Sequence, residues 1–371
     1  MEDCLIIGGG VIGLSLAYEL AGAGASVHVI ERGSIGREAS WAGAGILPPG
    51  NIADPKTADE RLIRLCHDLH PRWSEKLRDE TGIDNEYRRT GGLYLARTAG
   101  EAIELREQAA AWCRQGIWAD LPSAAELRDI EPALAVEGPN LPSIAALFAP
   151  DEAQLRNPRH LRALKAACTA RGVRLSEGMA AEEFETSGNR ITAVRTTTSR
   201  YSADMVCITG GSWSRALLGR LGITVALKPI RGQIALLEAP AGLLRRVINE
   251  GKRYLVPRAD GRVLVGSTEE DVGFEKQTTP EAIAALVRFA AELVPALSAA
   301  KMETSWAGLR PTTPDGRPYL GRVPGWENAF VAAGHFRAGL QLSPGTAVVM
   351  RQTILGQPVD IDLVPFRVDR S

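Results

Sequence analysis

Residues 5–31 constrain the fold more than any other stretch of this 371-residue chain. Leu5-Ile6-Ile7 is a short apolar run of the kind a buried parallel strand needs. Gly8-Gly9-Gly10-Val11-Ile12-Gly13 follows and fits G-x-G-x-x-G. Residues 14–21 then carry apolar side chains at helical spacing, and Gly22 and Gly24 end that helix. A second strand over 26–30 runs straight into Glu31. Each part has a physical purpose: Gly8 permits the tight turn, Gly10 lets backbone N–H groups approach a pyrophosphate, and Gly13 lets the helix pack closely on the strand. The helix N-terminus offers partial positive charge to phosphates. Glu31 can accept hydrogen bonds from ribose hydroxyls, which favours an adenosine without a 2′-phosphate. An isolated G-x-G-x-x-G is a weak signal, because a glycine turn can simply pack. Here strand, helix, strand and acid all fall where a dinucleotide site needs them.

The motif does not choose between NAD and FAD. The segment 37–45 (REASWAGAG), with Ala39, Ser40, Ala44 and Gly45 followed by Ile46, favours FAD. Such small residues let backbone amides run along an extended pyrophosphate towards a flavin. A plain solvent loop is the alternative, and Trp41 with Ile46-Leu47 argues against it.

Bulk properties narrow the partners. Lys plus Arg number 43 against 44 for Asp plus Glu, a net charge of -1, so nothing global favours nucleic acid or an anionic membrane. Cys4, Cys66, Cys113, Cys168 and Cys207 are odd in number and form no C-x-x-C, which fits reduced cytoplasmic thiols. The chain opens into a strand without a basic flank, so no secretory signal is expected. Residues 282–300, the most apolar long stretch, contain Arg288, Glu292 and Pro295, and read as an amphipathic helix rather than a membrane span.

Along the middle, 58–81 reads as a helix kinked or broken at Pro71. His67 and His70 within it are three apart, but a metal site needs three or four ligands, so helix surface is the favoured reading. Residues 89–95 form a turn entering a strand, and 99–116 a helix. Pro122, Pro132, Pro139, Pro142 and Pro150 mark a loop-rich region. A helix over 157–170 leads to a strand near 173–175, and 190–197 with 200–202 form a hairpin. The buried strand 203–209 ends in Gly210-Gly211-Ser212-Trp213, which either meets a ligand with its backbone or only turns the chain. Strands over 225–237, 253–257 and 262–266, with a turn at Asp260-Gly261, place an antiparallel sheet inside an α/β chain. The expected fold is a Rossmann-like domain of residues 1–87, 150–225 and 311–371, interleaved with an antiparallel-sheet α+β substrate domain of 88–149 and 226–310.

Three blocks close the chain: Ser305-Trp306-Ala307-Gly308-Leu309-Arg310-Pro311, Asp315-Gly316-Arg317-Pro318-Tyr319-Leu320-Gly321, and Ala332-Ala333-Gly334-His335-Phe336-Arg337-Ala338-Gly339. The last reads as strand 329–333, a glycine loop, then a helix over 346–354. With the amino-terminal glycines and R-Y-L-V-P-R at 253–258, these blocks make the chain resemble the D-amino-acid oxidase superfamily of flavoproteins almost end to end. The G-H-F-R-x-G loop is similar to that of the glycine oxidases of thiamine biosynthesis.

The resemblance implies non-covalent FAD held by Val11-Ile12, by Glu31 and Arg32, by Ala44, Gly45 and Ile46, and by the loop from Gly334 through His335, Phe336, Arg337, Ala338, Gly339 and Leu340 to Gln341. Ala39, Ser40, Ala180, Gly210, Gly211 and Trp213 are expected cofactor contacts as well. It implies that Arg310 clamps a substrate carboxylate and that Tyr254 and Arg337 complete the site. The planar fork of arginine matches a carboxylate, while Tyr254 has the rival reading of a packed strand residue. No side chain in these motifs reads as an indispensable base; the flavin accepts a hydride and the protein orients it. O2 is the expected acceptor, giving H2O2. Lys252, Glu269 and Ile46 depart from the His or Met that glycine oxidases can carry around the pocket, so sarcosine and small D-amino acids stand beside glycine as substrates. A cytoplasmic homo-oligomer, a tetramer by the resemblance, is expected without membrane or nucleic-acid partners. The rivals are a dehydrogenase feeding a quinone, which calls for a membrane-docking surface, and a flavin module acting on tRNA, which calls for a basic stripe.

Overall fold

The computed structural model describes residues 2–135 and 145–370. It is a mixed α/β fold built on two main sheets. Pro139 and Pro142 lie outside the described residues.

The first sheet has six strands in the order Tyr319–Arg322, Ala329–Ala333, Ala203–Ile208, Glu2–Ile7, Val27–Ile30 and Arg174–Ser176. All neighbours are parallel except the edge pair Tyr319–Arg322 with Ala329–Ala333. Period-two alternation divides its central strand. Cys4 and Ile6 join a core with the helices Val11–Gly22, Ala58–Thr81, Asn157–Ala170 and Gly339–Ile354. Leu5 and Ile7 face the other way, towards Ile191 and Val194 of a small three-stranded sheet. Covering both faces is what a parallel sheet requires.

The second sheet has seven strands in the order Met302–Thr312, Lys228–Glu238, Arg262–Gly266, Arg253–Pro257, Val247–Glu250, Gly92–Ala96 and Ala145–Ala149. One face, with Leu93, Ala235, Ile248, Leu255 and Val265, packs on Leu286, Phe289 and Leu293 of the helix Pro280–Leu293. The opposite face carries Tyr254, Ile234 and Trp306 and meets Ala44 and Ile46 of the loop that follows the first sheet's strand Val27–Ile30.

The structure corrects several sequence expectations. The helix Ala58–Thr81 runs unbroken through Pro71, held by a capping box between Thr57 and Glu60 and by buried Cys66, Trp73 and Leu77. The last helix begins at Gly339, not at residue 346, with Pro344 inside it. Pro344 cannot donate to the carbonyl of Leu340, and the Ser343 hydroxyl donates to that oxygen instead, at 2.9 Å. The proline-marked region holds a helix, Ala124–Ile130, and a strand, Ala145–Ala149. The strands Glu183–Ser187 and Val247–Glu250 escaped the sequence reading. Among the described residues no helix is long and apolar enough to cross a membrane.

Candidate active site

A cavity of about 570 Å³ lies between the two sheets. It runs from Glu31 and Arg32, past the amino end of the first helix, to Arg310 and Tyr254. Every residue expected in the site lines it except Gly13. Gly13 performs the packing task instead: a Cβ there would lie 1.9 Å from the carbonyl oxygen of Gly8.

At the nucleotide end, Gly8 takes φ +119°, and a Cβ on it would meet Thr209 O at 2.5 Å. Gly10 differs. A Cβ there would touch only Ser40 Oγ, at 3.1 Å, so the space Gly10 keeps clear belongs to the cavity. First-turn N–H groups lack intrahelical acceptors; that of Val11 donates to Ser40 Oγ at 2.9 Å. Glu31 is held by the N–H groups of Gly9 and Gly33, at 2.8 and 3.0 Å. A carboxylate has about four lone-pair sites, so two hydrogen bonds leave it capacity for hydroxyl donors. Arg32 lies over the Trp213 ring, 3.5 Å from its centroid, and pairs with Glu38.

The small-residue loop is fixed from behind. Arg258 is buried and donates to Ala44 O at 2.7 Å, to Leu155 O at 3.0 Å and to Gln154 Oε1 at 3.0 Å. Burial pushes its pKa down to about 10, with Arg156 adding to the effect. Trp306 Nε1 donates to Ala42 O at 3.1 Å. These bonds hold the loop's backbone along the cavity wall.

At the sheet end, register places the side chains. Asn249 stands opposite both Tyr94 and Tyr254, Tyr254 opposite Gly266, and Ile234 opposite both Gly266 and Trp306. Directly paired residues share a face, so this row points at the cavity. Trp306, Gly308 and Arg310 alternate onto the same face. Gly232, paired with Gly308, makes room for the arginine: a Cβ on Gly232 would lie 2.2 Å from Arg310 Nη1. Gly266 does the same for the Tyr254 ring, at 2.5 Å. Arg310 donates to Thr268 O at 3.1 Å and to Ser267 Oγ at 2.6 Å. No carboxylate pairs with Arg310 among the described residues, and the loss of water around it lowers its pKa.

Arg337 also lines the cavity, but the Glu269 carboxylate holds it, with Nε at 2.7 Å. Lys252 Nζ reaches the same carboxylate at 2.6 Å. Burial works against ionisation of Glu269, yet the bonds from Lys252 and Arg337 outweigh it and keep its pKa below the usual value. His335 is buried with Nε2 3.1 Å from Thr346 Oγ1, and burial pushes its pKa down to about 3. It is a neutral anchor for the loop, not a base. His70 is likewise buried, its Nε2 2.9 Å from Gln341 O.

Sequence reasoning missed Tyr94, Asn249, Gly232, Gly308, Met179 and Asn157, all in the cavity wall. The signal for the glycine pair was present as alternation in W-A-G-L-R-P, which puts Gly308 on the same face as Arg310. Asn249 belongs to a strand that the sequence did not disclose.

The residues present fit FAD. A glycine-cleared cradle, an acid with spare lone pairs, a small-residue loop and a long cavity that ends on a polar sheet face suit its nucleotide, pyrophosphate and flavin parts in turn.

Comparison with known proteins agrees. The profile of the DAO family, described as FAD dependent oxidoreductase, matches residues 3–353. The chain is 36% identical over 367 residues to the glycine oxidase of Pseudomonas putida, covering 98% of each chain. It is 34% identical to the bifunctional protein ThiO/ThiG of Synechocystis sp., with 96% of this chain and 52% of that protein covered. The crystal structure of glycine oxidase from Geobacillus kaustophilus superposes with a TM-score of 0.93 at 32% identity, covering 100% of this chain and 99% of that one.

Proposed function

Because the chain belongs to the DAO family of FAD-dependent oxidoreductases, we propose that its cavity oxidises the carbon–nitrogen bond of a small amino acid, glycine first, with O2 as electron acceptor. The observation that carries this reading is Arg310: a desolvated guanidinium, without a carboxylate partner among the described residues, opening into the cavity beside Tyr254. Such a group awaits an anion, and its planar fork suits a carboxylate.

FAD, when bound, accepts a hydride from the substrate's α-carbon. The chain supplies the rest. Glu31 receives ribose hydroxyls, the first helix presents its N-terminus at Val11 and Ile12 to the pyrophosphate, and the loop through Ala44 and Gly45 follows the cofactor. Arg310 grips the carboxylate and Tyr254 supports it, so that the α-carbon is held for transfer. Arg337, tethered to Glu269, lines the same cavity. The product imine hydrolyses to glyoxylate and ammonia or passes to thiamine thiazole synthesis, in line with the ThiO/ThiG relative. Lys252, paired with Glu269, puts charge in the cavity wall, and a panel of glycine, sarcosine and D-alanine sets the order of substrates.

The test is Arg310→Ala. Removing one partner of a desolvated charge pair costs about 2–5 kcal/mol, so kcat/KM for glycine falls between about 30-fold and about 4000-fold. H2O2 formation reads the loss, and the variant stays yellow. Unchanged glycine kinetics would remove Arg310 from the site.

A further inference from the structure

Glu152 is fully buried, yet no cation pairs with it among the described residues. The Tyr94 hydroxyl donates to its Oε2, and Asn249 Nδ2 donates to its Oε1 at 3.0 Å. Gly92 clears the space, because a Cβ there would lie 2.2 Å from Oε1. Neighbouring charges are engaged elsewhere. Asp151 pairs with Arg89 and takes a hydrogen bond from Asn51. Glu250 pairs with Arg97 and Arg253, Lys252 with Glu269, and Arg246 lies beside the Phe148 ring. Burial therefore dominates, and the pKa of Glu152 is pushed up to about 7.

A lone buried carboxylate is costly to keep, and this one stands directly behind the cavity wall. Tyr94 and Asn249 both line the cavity and continue the row that contains Tyr254. Arg310 provides a cationic pole on one side of Tyr254. Glu152, reached through Tyr94 and Asn249, provides an anionic pole on the other. A zwitterionic amino acid has the same polarity.

The chemistry needs such a group. An amino acid arrives mainly as the ammonium near neutral pH, and its α-carbon releases hydride only when the nitrogen lone pair is free to stabilise the cation left behind. One proton must leave first. His335 is tied to Thr346 and is too weak a base, and Glu269 is clamped by two cations.

We propose that the Glu152–Tyr94–Asn249 cluster is the amine pole of the site, and that Glu152 accepts the substrate's ammonium proton through the Tyr94 hydroxyl. An N–H bond of the ammonium breaks as an O–H bond forms on Tyr94 Oη, while the hydroxyl's own proton passes to Glu152. The carboxylate becomes a neutral acid, no electrons move in this step, and water takes the proton before the next turnover. Glu152 is a positioning residue acting through Tyr94. The proposal rests on the amino-acid oxidation argued above.

The test is anaerobic flavin reduction by glycine across pH, in wild-type, Glu152→Gln and Tyr94→Phe holoenzymes. Both variants should lose about a hundredfold in reduction rate at neutral pH, and come within about twofold of wild type above the ammonium pKa, where the amine is already neutral. A loss of the same size at every pH, or no loss at neutral pH in either variant, overturns the proposal. If Glu152→Gln does not hold flavin, Tyr94→Phe, which keeps the carboxylate, decides on the same terms. A wild-type enzyme that no amino acid reduces at any pH overturns the oxidase reading instead.

Discussion

Gly232 and Gly266 determine what Arg310 and Tyr254 can do. Each removes a Cβ that would otherwise occupy the place of a functional side chain. Gly232→Ala puts a methyl group 2.2 Å from Arg310 Nη1 and displaces the guanidinium. Steady-state kinetics should show KM for glycine raised by about tenfold or more, the cost of roughly 1.4 kcal/mol of lost carboxylate binding, with FAD content unchanged. Glu152 makes a second prediction at this scale. Its folded pKa lies above the ordinary carboxyl value of 4.5, near 7, so it favours the fold below about pH 4.5 and that contribution is lost as pH rises to about 7. Glu152→Gln should therefore become more stable than wild type above neutrality, by up to about 3 kcal/mol, in urea unfolding at matched pH. The motif glycines were legible because their spacing encodes a task. Gly232 was not, because its role depends on which strand lies beside it, and register is a tertiary fact.

Among the elements, the βαβ opening and the helix Asn157–Ala170 could be read from the chain because local periodicity fixes them. Of the two helices with an interior proline, Ala58–Thr81 was bounded correctly but expected to kink or break at Pro71, and Gly339–Ile354 was started late, at residue 346. In the last one, the Ser343 hydroxyl answers the Leu340 carbonyl that Pro344 leaves unpaired. The loop 37–45 shows the same lesson: its composition announced a cofactor, but its shape comes from Arg258, more than two hundred residues away in sequence. Arg258→Met leaves the acceptors on Ala44, Leu155 and Gln154 without that donor. Denaturant unfolding should show a loss of about 3 kcal/mol, and flavin titration of the apoprotein a weaker Kd for FAD. Unchanged FAD affinity would mean that the loop keeps its course without this arginine.

For the whole molecule, two sheets with different tasks meet at one cavity, and buried neutral histidines sit in the surrounding core. His70, His160 and His335 have pKa values pushed down by burial to about 4, 3 and 3. Each favours the fold above the ordinary value of 6.5, and that contribution is lost as pH falls. Glu152 acts in the opposite sense between 4.5 and about 7, so these four groups together, three histidines less one carboxyl, take up about two protons on unfolding in this window. Their contribution to stability should fall by up to about 3 kcal/mol per pH unit between about pH 6.5 and 4.5, measured by thermal or urea unfolding of the holoenzyme. The family and overall architecture were readable from motifs spread along the chain. The anionic side of the cavity was not, because Glu152, Tyr94 and Asn249 come from three separate segments that no local pattern links.

The central claim is that a carboxylate grip beside bound FAD selects an amino acid for oxidation. It is tested most directly by adding glycine or methylamine, which lacks the carboxylate, to the oxygen-free holoenzyme and following the visible flavin band. The account predicts that glycine bleaches the band and methylamine at the same concentration leaves it intact. Equal bleaching by both, or none by glycine or any other small amino acid, would contradict it.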